Sequence, residues 1–150
     1  MSDKVSFIKG EYINREYSWL MFNRRVLAQA TDSTNPLLER CKFLSIFHSN
    51  FDEFFMVRIG SLLNDSKLNP DATENKTGLT AKEQVDGILK LAKSAYREAD
   101  AVYVKLKKEL GKYVRVKTGA ELSAKQRVKC KQHFREQILP LLSPMVLDAK

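Results

Sequence analysis

The chain has 150 residues, 43% of them hydrophobic and 29% charged, which supports one domain with a packed core and excludes disorder throughout. No stretch of 18 residues is apolar and free of charge, and the N-terminal MSDKVSFIKGEY is polar, so neither a membrane span nor a secretory leader is expected. The net charge of +8 is uneven: residues 1–100 hold 14 basic and 14 acidic side chains, whereas residues 101–150 hold 12 and 4.

The first predicted helix takes Asn14 as N-cap and runs from Arg15 to about Thr31, with Trp19, Phe22, Val26 and Leu27 as its apolar stripe. After a short loop, Asn35 is the expected cap of a second helix. Pro36 is then its first residue, where a missing N–H costs nothing. That helix should continue to about Asn64. Residues 65–79 are polar, with proline and glycine, and read as a mobile connection.

Thr80 and Glu83 form a capping box at the start of a third helix. Its apolar positions Val85, Leu89, Ala92, Tyr96, Ala99, Tyr103, Leu106 and Leu110 follow a 4-3 spacing, the seam of a helix packed lengthwise on antiparallel neighbours. Gly111 stands at the expected C-cap, and residues 113–116 allow a short extended piece. Ser123 with Gln126 opens a fourth helix that ends near Leu139, before Pro140. With no strand-rich region and no repeat, the fold class is all-α, an antiparallel bundle of about four long helices. The ending ILPLLSPMVLDAK is apolar up to Leu147. It points to further chain that packs there, the alternative being a segment docked on its own bundle.

The second helix carries a polar knot, His48, Ser49, Asn50, Asp52 and Glu53, among Phe43, Phe47, Phe51, Phe54 and Phe55. At 100° per residue Asn50 shares a stripe with Phe43, Phe47 and Phe54. A carboxamide there has two readings. It ties down a neighbouring backbone group, or it presents the donor and acceptor that match an adenine edge, with flanking rings lining the base. Asp52 and Glu53 are expected to pair with Arg24, Arg25 or Arg58, and His48 with Asp52. Nothing has the form of a glycine-rich phosphate loop, a nucleophile triad or a metal-ligand spacing. Cys41 and Cys130 lack a CxxC pattern and read as free thiols of a reducing cytoplasm.

INREYSWLMFNRRVL followed by NPLLERCKFLSIFHSNFDEFFMVRIG resembles the N-terminal domain of bacterial polyphosphate kinase, closely over residues 12–60 and in general outline over residues 80–147. The chain departs from that pattern at Tyr17, His48 and Phe51. The resemblance implies a cytoplasmic enzyme, a homo-oligomer at full length, that reversibly transfers the terminal phosphate of ATP to polyphosphate with magnesium through a phosphohistidine. It implies a helical N-terminal domain at residues 1–120, with residues 121–150 as the last helix and lead-in to the next domain. It further implies that Asn50 contacts the adenine of ATP. No catalytic or metal-binding residue carries over, since the histidine, arginines and magnesium ligands belong to later domains, and the chain alone is expected to be inert. The rival reading is a basic helical module that binds nucleic acid or another polyanion through Lys125, Arg127, Lys129, Lys131 and Arg135. Those five fall at alternate positions for the most part and spread around a helix, which suits groove reading poorly.

Overall fold

The computed structural model describes residues 8–145. The first part of the polar N-terminus and, of the apolar ending, Val146 and Leu147 lie outside them. The chain divides into two compact units, Met1–Lys112 and Tyr113–Lys150.

The first unit opens with a small antiparallel hairpin, β1 (Ile8–Lys9) and β2 (Tyr12–Ile13), in which Ile8 pairs with Ile13 and Lys9 with Tyr12. Gly10 takes the first turn position at φ 59°, a backbone state that a glycine enters without penalty. Helix α1 (Arg15–Thr31) begins where expected, its first turn capped by the Asn14 side chain, which accepts from the amides of Glu16 and Tyr17. Helix α2 (Leu37–Glu53) starts one residue later than expected. Pro36 is extended at ψ 147° and serves as the cap, while Asn35 donates its amide to the Gln29 carbonyl instead.

Beyond Glu53 the helix does not run on regularly. Phe54–Ile59 forms wide π-type turns before α3 (Gly60–Leu68), and the Gly60 amide donates to the Phe55 carbonyl five residues back. This widening keeps Ile59 on the buried face, five residues after Phe54, where a regular helix repeats at three or four.

Residues 69–80 are held more firmly than their polar composition implies. The Glu74 carboxylate accepts from the Lys76 amide (2.8 Å), the Thr77 amide (2.5 Å) and the Thr77 hydroxyl. Thr73 and Thr80 bridge across the loop, and Thr77 and Leu79 are buried. Helix α4 (Ala81–Leu110) then starts with the expected Thr80–Glu83 capping box and ends at Gly111.

Side-chain partners establish the directions of these helices. Asn14 and Arg24 of the first segment meet Gln84 and Glu98 in the same order, so α1 and α4 run parallel. Arg40 near the start of α2 pairs with Glu109 near the end of α4, so α2 runs opposite to both. The result is an all-α bundle with an aromatic centre. Phe47, Phe51 and Phe54 are at most 2% exposed, and each such ring contributes about 1.5–3 kcal/mol by leaving water. Against them α4 sets a ridge of small side chains, Ala92, Ala95 and Ala99, with Ile88, Val102 and Leu106, while Val85 is buried outside that cluster. The expected seam holds in part. Val85, Ala92, Ala99 and Leu106 face inward as expected and Tyr96 stacks partly buried on Phe51, but Leu89 and Tyr103 are exposed, and Ile88, Ala95 and Val102 fill the buried face between the expected positions.

In the second unit, residues 114–118 form no strand, and Gly119–Glu121 is a single tight turn behind Thr118. Helix α5 (Ala124–His133) has the expected Ser123–Gln126 capping box and continues through π-type turns at Phe134–Ile138 into Leu139–Leu141.

Candidate functional site

The α1–α2 contact is an antiparallel ladder whose rungs come from Glu16, Trp19 and Asn23, at spacings that put all three on one helix face. The Asn14 cap turns Glu16 inward, where it is only 3% exposed. Its carboxylate is held by Arg58, through Nη2 to Oε1 at 2.7 Å and Nε to Oε2 at 3.2 Å, and by the exposed Arg15 at 3.0–3.1 Å. One turn on, the Trp19 ring lies flat on Phe54, with centroids 4.1 Å apart and planes 12° from parallel.

At the next rung Asn23 is fully buried. Its Nδ2 donates to the Phe47 carbonyl at 3.1 Å, and its Oδ1 accepts from Asn50 Nδ2 at 2.9 Å. These two bonds determine which way both amides face. A carbonyl can only accept, so Asn23 turns its nitrogen to Phe47 and offers its oxygen to Asn50. Asn50 must answer with its nitrogen. Its own Oδ1 is left with no protein partner, and no buried polar side-chain atom among the described residues lacks one, so that oxygen faces solvent.

Asn50 is half-buried and borders a cleft of about 300 Å³ between α1 and the α2 segment. Trp19 and Phe22 form one wall, Asn50, Glu53, Phe54 and Val57 the other, and the Glu16–Arg58 pair with Arg15 closes one end. The size matches the lower range for small-molecule sites, and apolar walls with a few polar groups are what such sites have.

Other parts of the polar knot go elsewhere. The aromatic stripe beside Asn50 belongs mostly to the core: Phe47 and Phe54 are buried, so the accessible rings beside the amide are those of α1, Phe22 exposed and Trp19 half-buried. His48 packs on Phe47 and Tyr96, at centroid distances of 5.3 and 5.7 Å, and makes no ion pair with Asp52. Asp52 and Glu53 are exposed and likewise unpaired among the described residues. Arg24 engages Glu98, Arg58 engages Glu16, and Arg25 lies over the Phe22 ring. Burial pushes the Tyr96 phenol above its ordinary value, and the nearby Asp52 charge adds to the shift. Two departures noted in the sequence are taken up by packing, as Phe51 stacks on Tyr96 at 4.9 Å and Tyr17 packs against the core.

No group of three or more histidine, cysteine, aspartate or glutamate side chains gathers among the described residues. None of the described helices is long and apolar enough to cross a membrane. Cys41 and Cys130 are free thiols. In the second unit the basic side chains of α5 are exposed, but Arg127 turns its guanidinium back onto the Leu122 and Ala120 carbonyls at 3.1 and 3.2 Å.

Comparison with known proteins points in one direction. The sequence matches the family described as polyphosphate kinase N-terminal domain over residues 12–118. Proteins named polyphosphate kinase from Exiguobacterium sp., Halalkalibacterium halodurans and Mycobacterium marinum are 44%, 46% and 42% identical to it, over 91%, 92% and 91% of the chain. The chain spans about a fifth of the length of these relatives, 19%, 20% and 19% respectively. No solved structure matches it.

Proposed function

Because this chain belongs to the polyphosphate kinase family through its N-terminal domain, we propose that it forms the adenine-side wall of an ATP site in a longer enzyme, one that transfers the terminal phosphate of ATP reversibly to polyphosphate. The reading is carried by one observation, the outward-facing Oδ1 of Asn50 at the edge of a cleft walled by Trp19 and Phe22. An acceptor there suits the 6-amino group of adenine, and the rings of α1 supply apolar surface for the base. The contribution is positioning: a base held at one end brings the far phosphate of the nucleotide into line with a nucleophile outside this chain. One hydrogen bond and one or two ring contacts amount to a few kcal/mol before the cost of association, so the domain holds ATP weakly by itself.

The test is Asn50→Ala in the full-length polyphosphate kinase that carries this chain. The KM for ATP should rise about tenfold, equivalent to about 1.4 kcal/mol, while the KM for polyphosphate and kcat stay within about twofold. An unchanged KM for ATP overturns the reading. The purified 150-residue chain should transfer no phosphate from ATP to polyphosphate, and transfer by the chain alone would overturn the assignment of the nucleophile to other domains.

A further inference from the structure

We propose that Asn23, which has no access to any ligand, is the residue that makes this site choose adenine over guanine. The proposal rests on the adenine-wall reading of Asn50 and adds to it a specificity-determining residue one layer deeper.

A carboxamide is a poor discriminator if it can rotate. Presenting its oxygen it accepts from the 6-amino group of adenine, and presenting its nitrogen it donates to the 6-oxo group of guanine. An asparagine free to flip would take either purine. Asn50 is not free. Its nitrogen is committed to Asn23 Oδ1, which faces it only because Asn23 Nδ2 is committed to the Phe47 carbonyl. That carbonyl lies within α2 and its position is set by the helix. The relay therefore runs from a backbone group, through a fully buried amide, to an oxygen that opens on the cleft. Flipping Asn50 would bring two carbonyl oxygens together in place of a 2.9 Å hydrogen bond, and flipping Asn23 as well would set its oxygen against that of Phe47. Guanine meets the outward oxygen of Asn50 with another acceptor. The site thus distinguishes the two bases by a contact that is absent for one and repulsive for the other.

Two substitutions separate this role from a packing role. Asn23→Leu keeps the branching and number of the side-chain heavy atoms and removes the acceptor, so Asn50 can turn either way. The Phe47 carbonyl keeps its partner within the helix, and the Asn50 nitrogen is near enough to solvent to find water, so this variant should fold. Asn23→Asp keeps an acceptor toward Asn50 in either protonation state. When protonated, it also restores a donor toward Phe47.

The experiment measures kcat/KM for ATP and for GTP in the full-length enzyme. In Asn23→Leu the ATP-to-GTP ratio should fall about tenfold, within the discrimination that one well-placed base contact provides. In Asn23→Asp it should stay within about twofold of wild type, whatever the loss of thermal stability. An Asn23→Leu variant that keeps the wild-type ratio, or loses activity equally with both nucleotides, overturns the proposal. If Asn50→Ala also lowers the ratio in that same experiment, the adenine wall stands and only the relay falls. If Asn50→Ala leaves both the ratio and the KM for ATP unchanged, the underlying reading falls with it.

Discussion

Asn23 accepts a 2.9 Å hydrogen bond from Asn50 across the α1–α2 contact, and each amide depends on the other for a partner. Because Asn23 is fully buried, losing Asn50 strands its oxygen away from water. Asn50→Ala should cost about 1–2 kcal/mol of stability, the usual penalty for orphaning a buried acceptor. In an Asn23→Leu background the same change should cost close to nothing, a coupling of about 1 kcal/mol or more. Urea unfolding followed through Trp19, the only tryptophan in the chain, measures all four corners of the cycle. Strictly additive costs would contradict the relay.

The Glu16 carboxylate depends unequally on its two arginines. Arg58 reaches both carboxylate oxygens and is partly covered, with 37% of its side chain exposed, whereas Arg15 meets Oε1 alone and its side chain is 78% exposed. Arg58→Met should destabilise the bundle by about 2–3 kcal/mol, because it leaves a buried charge poorly paired. Arg15→Met should cost about 0.5 kcal/mol or less, as exposed pairs do. Equal losses by thermal unfolding would show that burial of Glu16 does not govern the pair.

Capping chemistry made most of the helix starts legible in the sequence. Asn14, Thr80 and Ser123 cap where their side chains suggested, since a cap is a local contract between residues two or three apart. The all-α class followed from the same signals with the helical periodicity. What the sequence hid depends on neighbours far along the chain. The β1–β2 hairpin carried a short signal, Gly10–Glu11 between β-formers, but two-residue strands are too brief for periodicity to register. The π-type turns at Phe54–Ile59 have no local signature and carry no residue that marks them. The cleft was legible only as Asn50. Glu16, Trp19 and Asn23 stand at one-face spacing in α1, yet polar residues at such positions are also common on solvated faces. Only the partners Arg58, Phe54 and Asn50, 42, 35 and 27 residues away, distinguish the two cases.

The inward face of α4 offers a sharp comparison of registers. Ala99 is wholly buried beside the ring cluster, and Tyr103, expected in the seam, is 52% exposed. Ala99→Leu should overpack the core and cost about 1–3 kcal/mol, with rearrangement of its neighbours. Tyr103→Ala should cost under about 1 kcal/mol, since little apolar surface returns to water. The reverse order in a pair of denaturation curves would restore the seam read from the larger residues.

Acid should loosen the junction between residues 74–80 and α4 through two carboxylates. The Thr80 amide and hydroxyl bonds hold Glu83 below its ordinary value, since they serve the charged form. At Glu74 burial pushes upward, but the amides of Lys76, Thr77 and Gly78 and the Asn14 side chain outweigh it, and the net shift is again downward. A carboxylate lowered in the folded state adds stability that is complete above its unfolded value, about 4.3, and is lost as the pH falls through the folded one. Glu83→Gln and Glu74→Gln should therefore be less stable than wild type at pH 7, and each gap should narrow and close as the solution is acidified past the native carboxyl pKa. Thermal unfolding at a series of pH values, with the two carboxyls titrated by NMR, tests both. A gap that persists undiminished at low pH would mean that the glutamates act through side-chain packing rather than charge. Asn14 joins Glu74 to the start of α1, so the Glu74→Gln variant should also show faster amide exchange at Glu16 and Tyr17, whereas Glu83→Gln should leave those two amides as they are.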